Sequence, residues 1–400
     1  MRKTYIILSA FLLSGIVTGQ QVLDPLLKAK ASNAAGRTGE SVRILSEAID
    51  KQKDSKLFLE RAETYLSEGK PSEAIADYNS ANLMTRQSGE YGLAKAYALK
   101  GDAATSLYHL EMSMKSPYKK SEKEIMLDQA FRKIENRAEW RQFWKEEWYT
   151  VPEKSISEIE YYTSLRKIED ASAILAELKR DYPDEEAVKY GGSLINAMAG
   201  RYAEALKTLS DLLTSSPDNE KYLRLLARAQ SGASNAAGAS MTYSKMLSLD
   251  IPDADLLMQR AECYRKTGET DKAISDVKKY LALYPENRAA LSMAGKLNIL
   301  SGDNIEALRY FSENLRIHPN DPGCYVDRAN SYFSSKSWDW AIKDYSMALD
   351  LEPGDSEVWL NKGIALLNSG KKDDACHDFR EAFNLGNKRA TEYLSRHCIK

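Results

Sequence analysis

Cysteine and histidine are scarce in this chain, four of each in 400 residues. The histidines stand at 109, 318, 377 and 397, without the spacing of a metal-ligand set. Phosphate-binding glycine loops, zinc-protease helices and nucleophile elbows are all missing, so no catalytic, cofactor-binding or metal residues are assigned and the chain does not read as an enzyme. Neither charge is in surplus. Lys and Arg total 56 against 58 Asp and Glu, a formal net charge of −2, which favours neither nucleic acid nor an anionic membrane as partner. No apolar run reaches the roughly 20 residues that a membrane-spanning helix needs.

What the chain does contain is a repeat. Ala171, Ala205, Ala239, Ala273, Ala307, Ala341 and Ala375 step by 34 residues without insertion, and Pro183, Pro217, Pro285, Pro319 and Pro353 keep that step. A second small position gives Ser193, Ala227, Ala261, Gly295, Ala329 and Gly363, and a turn position gives Gly200, Gly268, Gly302 and Gly370. The unit from Pro322 to Asp355 shows the logic. Tyr325, Arg328, Ala329 and Tyr332 share one helical face, Ala341, Tyr345 and Ala348 mark a second helix, and Pro353 follows its end. Alanines stand where two helices must approach to about 8–10 Å, glycine supplies the turn, and proline stops the second helix.

A 34-residue helix-turn-helix period resembles the tetratricopeptide repeat, TPR. The resemblance implies an all-α solenoid winding as a right-handed superhelix, and a non-enzymatic scaffold or adaptor that binds a protein or peptide partner in its concave groove. Seven consecutive units are expected over 152–389, starting at Pro152, Glu186, Glu220, Ala254, Arg288, Pro322 and Ser356. An N-terminal array over 20–118 keeps looser spacing. Ser55–Arg86 matches fully through Phe58, Arg61, Ala62, Tyr65, Gly69, Ala74, Tyr78 and Ala81; Val22–Asp54 has a poor first helix, and Gln87–Tyr118 has Ser106 in place of the second-helix alanine. Between the arrays, 119–151 reads as a degenerate Trp-rich hairpin. Ser121 and Glu124 box a helix running through Phe131 and Ile134, and Trp140, Trp144 and Trp148 share a face of the next, either as packing or as an exposed patch. Ser231–Ser240, rich in small residues, reads as a soft point. Residues 390–400 supply a capping helix with Tyr393 in its apolar slot.

Residues 1–19 read as a secretory signal: Arg2 and Lys3 precede the apolar Tyr5–Val17, and Val17 and Gly19 frame a cleavage site that leaves Gln20 first. The expectation is export to a periplasmic or extracellular space, without stable membrane insertion after cleavage. Cys376, His377, His397 and Cys398 could converge on zinc, remain as free thiols with the histidines unused, or form a Cys376–Cys398 disulfide. The last suits an exported protein and resembles the paired cysteines of Sel1-like relatives, whose proposed enzymes are the alternative function. Cys263 and Cys324, two repeats apart, are expected to stay unpaired.

In TPR proteins positions 5, 9 and 12 of the first helices line the concave groove. Here they place Arg224, Arg228 and Ser231, with Lys221 beside them, then Met258, Glu262, Arg265, Ser292, Lys296 and Ile299, and finally Val326, Asn330 and Phe333. The middle of the groove is therefore expected to be basic and its end apolar, continuing through Leu360, Ile364 and Leu367. Asn330 and Asn361 match the carboxylate clamp of chaperone-binding TPR domains, but Val326 replaces its lysine and no third repeat follows, so that clamp is expected to be absent.

Overall fold

The computed structural model of the protein describes residues 14–398, with side chains from residue 22. Among the described residues there is no strand. Helices pair in sequence order: α1 (Ser14–Ala34) with α2 (Thr38–Lys51), α3 (Ser55–Ser67) with α4 (Pro71–Met84), and α5 (Glu90–Lys100) with α6 (Ala103–Met114). An irregular stretch follows, with α7 (Glu122–Leu127), a 3-10 turn over Gln129–Lys133 and α8 (Ala138–Phe143). Then come the regular pairs: α9 (Val151–Ser164) and α10 (Ile168–Asp181), α11 (Glu186–Met198) and α12 (Tyr202–Ser215), α13 (Glu220–Gly232) and α14 (Ala236–Ser248). These are followed by α15 (Asp255–Thr267) and α16 (Thr270–Leu283), α17 (Arg288–Leu300) and α18 (Asn304–Ile317), α19 (Pro322–Ser334) and α20 (Trp338–Leu351), α21 (Ser356–Asn368) and α22 (Lys372–Asn384). A short α23 (Ala390–Tyr393) runs into a π turn, Leu394–Cys398.

The hairpins do not own separate cores. One cluster joins Ala329, Ala341, Tyr345 and Ala348 of one hairpin to Val358 and Ala365 of the next, and the first joins Val22 and Leu45 to Leu57 and Ala81. Each unit thus buries its apolar face on its neighbour. Inside a hairpin the small first-helix residue admits a large second-helix ring. Gly295 and Gly363 give way to Phe311 and Phe379: an added Cβ would lie 2.3 Å and 2.6 Å from those rings. At the turn, Gly200, Gly268, Gly302 and Gly370 take φ of 77 to 84°, and Arg166, Ser234 and Lys336 occupy the same register position at 58 to 59°. Three non-glycine residues therefore carry a left-handed conformation that costs an L residue roughly 1–2 kcal/mol.

The chain forms two compact units, Met1–Leu256 and Leu257–Lys400. This division falls inside α15, not at the Trp-rich stretch. That stretch instead packs onto α5 and α6, where Phe131, Ile134, Trp140 and Phe143 share a core with Ala94, Leu110 and Met114. Its helices are shorter than the sequence suggests. Ser121 and Glu124 do form a reciprocal capping box, but α7 stops at Leu127 because the Asp128 side chain caps the 3-10 turn at Ala130 N. Likewise α8 ends at Phe143, just before Trp144, so Trp140, Trp144 and Trp148 do not share a helix face; Trp148 folds back to stack on Phe143 at 4.5 Å and donates its Nε1–H to that residue's carbonyl. The packing reading of these tryptophans is the one the structure realises.

Two further departures occur in the first unit. The poor first helix expected after Val22 is a 21-residue helix, α1, that buries Leu26, Leu27, Ala29 and Ala31. The Ser106 hydroxyl is buried where alanine was expected and donates to the Ala94 carbonyl at 2.7 Å. The first unit also closes on itself. Lys56, at the start of α3, donates to the carbonyl of Leu249 at 2.5 Å and lies 3.6 Å from Asp250, and α1 touches α14.

Candidate functional site

Four hairpins share a buried ion pair that fixes the first helix on the second. Arg61 grips Asp77, Arg260 grips Asp276 and Arg328 grips Asp344, each bidentate at 2.7–2.8 Å, and Lys362 approaches Asp378 at 3.3 Å. The carboxylates are almost wholly buried, so these pairs are structural. They orient the remaining first-helix side chains toward the opposite face, where the sequence places its candidate site.

In the first unit, Lys221 Nζ lies 2.5 Å from Glu160 and 4.8 Å from the Tyr190 ring centre. Arg224 bonds Glu220 and Asp253, both at 2.8 Å. Arg228 is exposed and makes no ion pair among the described residues. In the second unit, Met258 is half-buried, and Arg265 forks onto Glu262 of its own helix at 2.7 Å. Lys296 pairs with Asp327 at 2.9 Å, and that carboxylate also accepts from Ser292 at 2.5 Å. The expected basic middle is thus locally neutralised. Two of the neutralising carboxylates, Glu160 and Glu262, stand at position 9 of their own first helices, while Glu220, Asp253 and Asp327 come from register positions outside 5, 9 and 12.

The apolar end is also divided. Val326 is half-buried, Phe333 packs edge-on against Trp338 at 5.2 Å, and Asn330 accepts from the Tyr345 hydroxyl at 2.6 Å. Leu360 is fully buried, and Ile364 and Leu367 pack in the cluster that holds Tyr393 and Leu394 of the terminal segment. Tyr393 stacks on Phe379 at 4.9 Å, and Cys398 is bridged to Cys376, with Cα atoms 5.6 Å apart. Cys263 and Cys324 are buried, and neither takes part in a disulfide among the described residues. No group of three or more His, Cys, Asp or Glu is arranged for a metal among the described residues.

Beside these residues, the second unit has a cavity of about 200 Å³ bordered by α17, α19, α20 and α21. Val326, Ala348 and Val358 form its apolar lining; Arg288, Lys296, Asp327, Glu352 and Asp355 supply its charges. Arg288 is bound by Asp321 through a 2.9 Å hydrogen bond, and Asp321 is held below the usual carboxylate range because Arg288 and the amides of Gly323 and Cys324 outweigh its burial. Asp355 Oδ1 caps α21 through the amides of Glu357 and Val358. Glu352 is exposed and, among the described residues, bonded to no side chain. Sequence reading named Lys296 and Val326 here but missed Arg288, Glu352 and Asp355. The last two follow the second helix of one unit, at the junction to the next, outside the first-helix positions that the reading covered.

Fold and site define a helical-repeat protein whose exposed chemistry is suited to holding another chain. Two tetratricopeptide-repeat family models match, over residues 159–220 and 255–287, inside the seven regular hairpins. The chain is a tetratricopeptide-repeat protein. It is 25% identical over 255 residues to DnaJ homolog subfamily C member 3 of Gallus gallus, covering 57% of this chain and 47% of the relative. It is also 27% identical to human tetratricopeptide repeat protein 13 over 38% of this chain and 18% of that one. The chain therefore spans less than half the length of these two relatives. A crystal structure of a tetratricopeptide repeat protein from Parabacteroides merdae superposes with a TM-score of 0.48 at 21% identity, covering 61% of this chain and 98% of that one.

Proposed function

We propose that the protein is an exported, non-enzymatic adaptor that holds an extended segment of a partner protein against the first-helix face of its repeats, the concave groove of the family. The single observation that carries this reading is the cavity at Arg288, Lys296 and Val326, an opening on the first-helix face left unfilled by the repeats' own packing. In the second unit Val326 answers apolar residues of the segment, with Phe333 at its edge. In the first unit, taken by itself, Arg228 is the exposed cation suited to an acidic residue of a partner, with Lys221 and Arg224 contributing only where the partner displaces their present carboxylates.

Export is supported by the leader reading of residues 1–19, of which 1–13 lie outside the described residues, and by the Cys376–Cys398 bridge, which suits an oxidising compartment. Among the described residues no helix is long and apolar enough to cross a membrane. An intact mass beginning at Gln20, with one bridge by unreduced peptide mapping, is the expected result for export; a mature chain retaining Met1–Gly19 contradicts it.

For the groove, Arg224→Glu with Arg228→Glu is expected to weaken partner capture more at low salt than at high, with the helical signal intact. Capture equal to that of the parent, for this variant and for Phe333→Ala, moves the site off the first-helix face.

A further inference from the structure

We infer that the cavity between α17, α19, α20 and α21 is a socket for one lysine or arginine side chain of the bound segment. The inference rests on the groove reading above and gives that segment its chemistry. Three carboxylates and two cations border the cavity, and the cations are already spent: Arg288 on Asp321, and Lys296 on Asp327. Of the acids, Asp327 is occupied by Lys296 and Ser292, and Asp355 uses Oδ1 for its helix cap. Among the described residues Glu352 is left with no ion pair or side-chain hydrogen bond. The uncommitted charge at this opening is therefore negative, although the first-helix positions alone suggest the reverse.

The apolar lining narrows the choice. Val326, Ala348 and Val358 offer aliphatic surface, and Glu352 and Asp355 stand at the connection that leads into α21. A side chain with an apolar stem and a cationic head satisfies both parts, because the stem covers aliphatic surface while the head stays hydrated beside the carboxylates. An acidic side chain would face Glu352 and Asp355 with like charge. A purely aliphatic one would gain the lining but nothing from Glu352.

The test is selection of a random decapeptide display library against the full chain, at low salt, followed by affinity measurement of the selected peptides. Those occupying the cavity are identified by loss of binding to Val326→Trp, or to Lys296→Trp should the first variant lose its helical signal. The expected result is enrichment of Lys or Arg at one fixed position, about fivefold weaker binding to Glu352→Gln, and a smaller difference at high salt. Cavity-dependent peptides with no basic position, or indifferent to Glu352→Gln, overturn the socket while leaving the groove reading intact. Failure to select any peptide sensitive to either tryptophan variant overturns both.

Discussion

The two compact units meet the same difficulty, the open ends of a repeat stack, in different ways. In the first, Met1–Leu256, an irregular stretch packs onto α5–α6 and the N-terminal hairpins return to touch the α14 end through Lys56. In the second, Leu257–Lys400, the hairpins are regular and the last one is sealed by Tyr393 and a disulfide. One end is held by a partly exposed charge contact, the other by covalent and aromatic contacts. The difference implies that the first unit opens more easily, and that the second keeps its cavity pre-shaped.

The sharpest way to break that contrast is inside the second unit. Arg328→Ala leaves the buried Asp344 without its partner and is expected to cost about 3–5 kcal/mol. If the units are separate, thermal or urea unfolding should split, with the second unit melting first and the first unchanged. Cys376→Ser with Cys398→Ser is expected to lower the stability of the second unit by about 2 kcal/mol and to increase hydrogen exchange in α22 and α23. Lys56→Glu should cost only about 1 kcal/mol, since the pair is partly exposed, and its effect should appear as faster exchange in α1 and α14 with α17–α22 unaffected.

Two smaller effects sharpen the comparison. Lys336→Gly and Ser234→Gly place glycine at left-handed turn positions, one per unit, and each should gain roughly 0.5–1 kcal/mol in urea denaturation. Asp250 titrates high, because burial disfavours its charge and Asp54 repels it, against the attraction of Lys56. A carboxyl with a raised folded pKa binds its proton more readily in the native state. Its contribution therefore grows as pH falls through the range just above its ordinary value, and shrinks as pH rises through its folded pKa. Asp250→Asn should remove that increment, seen as a smaller gain for the variant than for the parent between pH 6 and 4.

Most of the repeat architecture was legible because it rests on local rules that recur. Ala341 under Tyr345, Gly302 at its turn and Pro353 after α20 each signal their role within one unit. The starts read from the sequence agree with those of α9, α11, α13, α15, α17, α19 and α21 to within one residue. Three things were hidden. Arg166, Ser234 and Lys336 adopt the turn conformation without the residue that signals it, since the hairpin geometry imposes it. The closure at Lys56 joins residues 193 positions apart, beyond any periodic pattern. It does leave one trace: the proline series has no member at 251, where Ile251 stands before Pro252, and Asp250 turns left-handed at that loop. The charge of the site was misread for a third reason, that neutralising acids such as Asp253 and Asp327 come from loops and from register positions outside the groove-lining set.

On the proposed function, the partner lies on the first-helix face of the second unit. The most direct measurement places a photo-crosslinking amino acid at Lys296, exposed at the cavity, and separately at Met347, exposed on α20, and compares adducts with the native partner formed in the producing cells. A discrete adduct from position 296 and none from 347 is expected. An adduct from 347 alone would contradict it.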